Sequence, residues 1–266
     1  MTCGRADPTG RPAPATRRDG SNRGDPPPWQ AVPVRRTPLT VRSLGVATLL
    51  VIALAAMTGC SGGGSSNSSQ TPTQRLAAAK TSFDAATYIG FTMTTDALPD
   101  GVDGLLSAKG TGTHAPAFTG EVRVHTAFDI SAPVVAVDGK VYAKLPFSPF
   151  TEIDPGTYGA PNPAQLMDTG TGISALFAKT QGAKAGASTR DGSVVLTEID
   201  GTLPGEAVKA VFPSAGTDDF PVTYTLTDDN VLKRVRVTGP FYGSAADVTY
   251  TIDLDLDADA VDIQAP

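Results

Sequence analysis

The sequence predicts an α+β domain of long antiparallel strands with short helices set between them. Three observations carry this. Apolar and polar residues alternate along several long runs, the mark of half-buried strands. One run, "VVAVDGKVYAKL" (Val134–Leu145), has Asp-Gly at its centre, the strongest short hairpin signal. Two helical stretches open on a capping residue followed by proline, at Thr71-Pro72 and Asn162-Pro163.

Before the domain come three segments of different character. Residues 1–33 hold Pro-Pro-Pro, scattered arginines and the only tryptophan, Trp29. They read as an unfolded extension, or as lying upstream of the true start. Val34 or Val41 would then be the initiator, because bacterial valine codons can start translation. Residues 34–59 read as a signal peptide. Arg35, Arg36 and Arg42 supply the positive region, and Leu44 to Ala56 is an uncharged stretch of thirteen residues. Such a run is short for a membrane span, which needs about 20 apolar residues, but fits a signal h-region of about 7–15.

The signal exits through Met57-Thr58-Gly59-Cys60, small residues directly before a cysteine. This is similar to the bacterial lipobox, with Met57 in the place of the usual leucine. Cleavage would leave Cys60 as the first residue, its thiol carrying diacylglycerol. The alternative is an ordinary cleavage site and a free Cys60. No cysteine follows Cys60, so it has no disulfide partner in the remaining chain. Two or three acyl chains hold a protein at a membrane stably where one would be marginal. Residues 60–70 are then the lipidated cysteine and a Gly/Ser-rich tether, a flexible composition. Residues 71–266 form a single domain.

Charge divides at the same cysteine. Residues 1–60 hold eight Arg and three Asp, a net of about +5, while the rest sets thirteen Lys/Arg against twenty-four Asp/Glu, about −11. So acidic a domain does not bind nucleic acid by neutralising phosphates. Nor does it adhere to anionic lipid through a basic patch.

Along the domain, Thr71 and Gln74 form a capping box for a first helix whose Leu76, Ala79, Phe83 and Ala86 share a face. Strands follow at Phe91–Thr95, Leu105–His114 and Phe118–Phe128. In the last, Glu121, Arg123 and His125 alternate with Val122, Val124 and Thr126. The Asp138-Gly139 hairpin pairs Val137 with Lys140 and Ala136 with Val141. It gathers Val134, Ala136, Val141, Ala143 and Leu145 on one face, with Lys140, Tyr142 and Lys144 on the other. A Pro-rich break covers Pro146–Gly156, and the loop from Pro146 to Tyr158 is a candidate lid. Short helices are expected at Asn162–Asp168, Gly172–Lys179 and Pro204–Phe212. Strands resume at Ser193–Leu203, at a hairpin over Pro221–Gly239, and at Asp247–Asp257.

The inward residues are small, with Val, Ala, Gly and Thr where a compact sandwich would place Leu, Ile and Phe. Such a sheet packs flat on helices or curls and leaves room for a ligand. Chemistry is sparse. His114 and His125 lie on separate strands with no cysteine or histidine cluster, which argues against zinc. Ser174 sits in G-I-S-A-L, which lacks the closing glycine of a nucleophile elbow. "DLDLDADA" (Asp253–Ala260) fails as an EF-hand, because Ala258 and Gln264 stand where Gly and Glu are required. It reads as the wet face of a strand with Leu254 and Leu256 inward.

The lipobox, "VDGKVYAKL" (Val137–Leu145), "NPAQLMDTGTGISALF" (Asn162–Phe177) and "AVKAVFP" (Ala207–Pro213) together resemble the LppX, LprA, LprF and LprG lipoproteins of mycobacteria, most of all the LprG branch. The similarity runs from Gln74 to the C-terminus. It implies a strongly curved antiparallel half-barrel with helices packed on its concave face, enclosing an apolar cavity. It implies a non-enzymatic carrier of triacylated glycolipids and lipoglycans, moving them from the inner membrane toward the outer envelope, with a major-facilitator exporter as partner. No cofactor is expected beyond the bound acylated lipid. The protein is expected to be a monomer held on the extracytoplasmic face of the membrane through Cys60. The cavity residues on this reading are Val122, Val124, Val134, Ala136, Val141, Ala143 and Leu145 from the strands, with Leu166, Ile173, Leu176 and Phe177 from the short helices. A structural or host-facing surface lipoprotein with no carrier role is the alternative.

Overall fold

The computed structural model describes residues 70–243 and 246–266. Cys60, the signal and the residues before it lie outside the described residues. So does the tether up to residue 69.

The capping box forms as the sequence predicts. Thr71 accepts from the Gln74 backbone N–H at 3.3 Å, and the Gln74 side chain accepts from the Thr71 N–H at 2.8 Å. It starts α1 (Pro72–Ala85), whose buried face is Arg75, Leu76, Ala79 and Phe83. Eleven strands then build one antiparallel sheet: β1 (Ile89–Thr95), β2 (Gly104–Thr113), β3 (Ala117–His125), β4 (Asp129–Val137), β5 (Lys140–Lys144), β6 (Phe150–Ile153), β7 (Gln181–Asp191), β8 (Val194–Leu203), β9 (Phe220–Thr227), β10 (Leu232–Gly239) and β11 (Val248–Asp255). Their order is β6-β5-β4-β3-β2-β1-β11-β10-β9-β8-β7, so the sheet is not closed and β6 and β7 are its edges. Two short helices, α2 (Ile173–Phe177) and α3 (Gly205–Lys209), interrupt the strands.

The Asp138-Gly139 turn has the expected register, Val137 with Lys140 and Ala136 with Val141. Both turn residues have positive φ, 54° and 76°, the conformation a type I′ hairpin requires. Other expectations need correction. The Pro-rich break contains β6, which pairs with β5 from Lys144↔Phe150 to Val141↔Ile153. β7 is a full strand where no strand signal was read. The Asn162–Asp168 stretch makes only a 3₁₀ turn, Gln165–Met167. β4 begins at Asp129, five residues before the alternation around Val134 suggests.

Antiparallel pairing gives the sheet two distinct ends. One carries the β2–β3, β4–β5 and β9–β10 turns. The other carries the β1–β2, β3–β4, β5–β6 and β10–β11 connections. Helix α1 spans the first end. At its start, the buried Arg75 donates to Asn230 Oδ1 and to the Thr227 carbonyl, both at 2.8 Å, in the β9–β10 turn. At its finish, the Phe83 carbonyl lies 2.9 Å from His114 Nε2, just past β2. A helix of 14 residues is about 21 Å long. Four strand spacings, the interval between those turns, come to about 19 Å. The helix length thus matches the width it crosses.

Candidate binding cavity

The inner residues of β1 to β5 do not fill the space above them. Phe118 on β3 lies over the paired glycines Gly110 and Gly120, where an added Cβ would come within 2.7 Å of its ring. Its ring stacks on Phe91 at 5.4 Å between centroids. These two rings and the small residues Ala108, Ala132 and Ala143 line an apolar cavity of about 180 Å³. The opposite wall is one segment after β6, contributing Pro155, Tyr158, Ala160, Pro161, Pro163 and Leu166. It crosses to the end away from α1, where Gly159 sits against Tyr242 and Asp103. It then returns, and Asn162 Nδ2 donates to the Gly139 carbonyl at 3.4 Å. A second cavity of about 80 Å³ adjoins the first. Both are lined by Met93, Leu105, Pro161, Ile173, Phe212 and Ile252.

Val122, Val124, Val134, Val141, Ala143, Leu145, Leu166 and Ile173 line the larger cavity. Ile173, Leu176 and Phe177 line the smaller one. Ala136 lines neither. It is fully buried in the core, paired with Phe118 across β3 and β4. Leu145 stands at the rim, 41 % exposed. Sequence reading passed over Phe91 and Met93, although they alternate with Thr92 and Thr94. It also passed over Ile130 and Ala132, which share the parity of Val134 on β4.

The polar atoms near these walls are occupied. Tyr242 Oη accepts from the Leu105 N–H at 2.8 Å and bonds Tyr250 Oη at 2.7 Å. Tyr250 in turn donates to the Leu105 carbonyl at 2.6 Å. Tyr224 Oη pairs with Thr180 Oγ1 at 2.8 Å. Burial holds the Tyr224 and Tyr250 hydroxyls far above ordinary tyrosine, so both stay protonated donors. Ser214 donates to the Gly159 carbonyl at 2.9 Å. Among the described residues no buried side-chain nitrogen or oxygen lacks a partner. A hydrocarbon placed here therefore meets no unsatisfied buried side-chain group.

The residues considered for chemistry have structural partners. Ser174, fully buried, donates to Asp84 at 2.7 Å and accepts from Lys80 at 3.2 Å, fastening α2 to α1. His114 bridges the Met167 and Phe83 carbonyls at 2.6 and 2.9 Å. His125 pairs with Asp129 at 2.7 Å on the surface, and that contact with Arg123 holds the Asp129 carboxyl below its usual range. Asp253 pairs with Arg234 at 2.5 Å on the wet face of β11, with Leu254 buried behind it. No group of three or more metal-ligating side chains occurs among the described residues. Nor is any described helix long and apolar enough to cross a membrane.

The architecture is thus an open antiparallel sheet that, with the segment after β6, Ile173 and Phe212, surrounds a hydrocarbon-lined space. The chain belongs to the LppX_LprAFG lipoprotein family, whose model matches residues 71–259. Two solved structures share the fold. LprF from Mycobacterium bovis is 14 % identical with a TM-score of 0.58, covering 73 % of this chain and 96 % of that one. Lipoprotein LppX from Mycobacterium tuberculosis is 15 % identical with a TM-score of 0.54, covering 73 % and 98 %. A comparison with curated protein sequences finds no match. The family is one of lipoproteins, not of enzymes.

Proposed function

We propose that this lipoprotein shelters the acyl chains of acylated glycolipids in its cavity and carries them from the inner membrane toward the outer envelope, anchored meanwhile through lipidated Cys60. Family membership supports the lipid ligand. The observation that carries the reading is the cavity itself, lined almost wholly by apolar side chains, with the tyrosine hydroxyls of the adjoining smaller cavity paired within the protein. Each CH₂ buried is worth about 0.8 kcal/mol, so acyl tails do not cross water unaided at a useful rate. An apolar space open at one end removes that barrier without catalysis, and the sugar head stays in solvent.

Size adds a condition. An engineered apolar cavity of about 150 Å³ holds one benzene, and the larger space here is about 180 Å³. A whole tail therefore enters only if a wall moves. The segment from Pro155 to Leu166 is the wall outside the sheet hydrogen bonds, so loading displaces it first. The Pro146–Tyr158 lid of the sequence reading shifts accordingly, since Phe150–Ile153 is held in β6.

Solvent extraction of the purified protein followed by mass spectrometry tests the reading, and co-purified diacyl or triacyl lipid is the expected result. Val122→Trp sharpens it. In a packed core a large ring costs about 1–3 kcal/mol. In an unfilled cavity it takes the ligand's place, leaving a folded protein without lipid. An unfolded Val122→Trp protein together with a lipid-free parent would defeat the carrier reading and leave a surface-structural role.

A further inference from the structure

The end of the sheet away from α1 carries apolar side chains that the fold does not use. Phe147 is fully exposed and Phe128 is 67 % exposed, at the tips of the β5–β6 and β3–β4 turns. Leu145 and Tyr158, exposed beside them, also line the larger cavity. The Phe147 turn is unusual in its chemistry. Leu145 accepts from the Ser148 N–H at 3.1 Å, with Pro146 second in the turn and Phe147 third. Phe147 has φ 64°, which a turn of this form normally gives to Gly or Asn. An aromatic residue is thus held in a glycine conformation with its ring in water, against both backbone preference and solubility.

The tether leaves from the other end. Gln70 accepts from Asn230 Nδ2 at 2.9 Å, beside the β9–β10 turn. From Cys60 to Gln70 the chain reaches at most about 40 Å, and the sheet is about 30 Å deep along its strands. A domain hung by this tether presents Phe128 and Phe147 on its far side. Bringing them back to the anchoring bilayer would use most of the tether's reach.

We infer that Phe128, Phe147, Leu145 and Tyr158 form a docking rim that inserts into a lipid layer facing the one that holds the anchor, at the open end of the cavity. The inference rests on the carrier reading, since it names where the tails leave. A lipid layer fits better than a protein groove, because the apolar groups are separate turn tips around an opening. The charges in the connections at this end are mostly acidic, Asp96, Asp100, Asp103, Asp129 and Asp247 against Arg123 and Lys144, so docking rests on insertion into uncharged lipid and little on salt.

Phe147→Trp makes position 147 the only tryptophan from Cys60 onward, the part of the chain that lipidation would leave. The lipidated protein is reconstituted in phosphatidylcholine vesicles, then mixed with protein-free vesicles whose acyl chains are brominated. Emission should shift to the blue and be quenched by the added vesicles, with little change in 0.5 M salt. A single tryptophan placed instead by Val194→Trp, exposed at the α1 end, should not be quenched. Phe128→Ser, added to the Phe147→Trp variant, should reduce quenching at a given lipid concentration about tenfold. Unchanged emission from the Phe147→Trp variant overturns the inference. So does a blue shift that needs added envelope protein, or one that follows self-association in sedimentation. Lipid extraction of the same sample separates the two readings. Bound lipid without quenching rejects the rim alone, and quenching without bound lipid rejects the carrier alone.

Discussion

Arg75 shows how much can rest on one side chain. It is 8 % exposed, and its hydrogen bonds go to neutral oxygens, Asn230 Oδ1 and the Thr227 carbonyl. Asn230 has φ 60°, and its amide also donates to Gln70. One guanidinium therefore fixes the helix start and the tightest turn of β9–β10 together. Arg75→Ala leaves the buried Asn230 Oδ1 without its partner, while the Thr227 carbonyl keeps the Asn230 N–H at 3.0 Å, and hydrogen bonds to charged groups are worth about 1.5–3 kcal/mol. For a domain of this size each kcal/mol moves Tm by about 2–4 °C, so a fall of roughly 5–10 °C is expected in thermal unfolding. Arg75→Lys should fall between, since an ammonium keeps the charge but not the planar fork. Nothing local marked Arg75 in the sequence. It sits on the apolar face of α1, and its partners are about 150 residues away.

At the scale of elements, the strands that were legible are those with one wet face and one dry one. β3, β4 and β5 alternate, and the faces or register read for them agree with the exposure and pairing of these strands, while β9 was read only as part of a hairpin. β7 was not, because Gln181–Asp191 is exposed almost throughout and built of small residues. It has no dry face to set a period, and its strand form comes from pairing with β8, with two irregularities on the way. β6 was hidden for a different reason. Its four residues lie between prolines whose turn signals dominate any short window. The same scale explains the cavity floor. Gly110 and Gly120 face each other, and the Phe118 ring occupies the space their side chains would need. Gly120→Ala should therefore strain the sheet, since its Cβ would lie 2.2 Å from the Lys109 carbonyl oxygen. A loss of about 1–3 kcal/mol is expected from denaturant unfolding, with Phe118 pushed into the cavity and lipid occupancy reduced. Full occupancy in that variant would mean that the floor is not where tails lie.

For the whole molecule, the Gln70–Asn230 bond ties the chain to the domain one residue before the capping box. A chain beginning at Gln70 should unfold at the same temperature as one beginning at Cys60. A chain beginning at Pro72 loses the Thr71 cap, worth about 1 kcal/mol, and the Gln70 contact as well. Calorimetry of the three would show equal Tm for the first two and a lower value for the third. A lower Tm on removing residues 60–69 would assign them a structural role. The topology follows from ordinary rules, since consecutive strands are neighbours except where β1 meets β11 and β6 is separated from β7. That break in sequence order cannot be read from any window of the chain. It brings the first strand to the middle of the sheet and leaves both edges far from the termini.

The unjoined edges at β6 and β7 also bear on cargo range. In a closed barrel the strand number and stagger fix the diameter, so the largest guest is set by a ring of hydrogen bonds. Here no such ring exists, and the sheet can open about its own twist without breaking a ladder. On the carrier reading proposed above, capacity becomes a mechanical property, the bending stiffness of eleven strands, and guests of different bulk would be ranked by the work of flexing them.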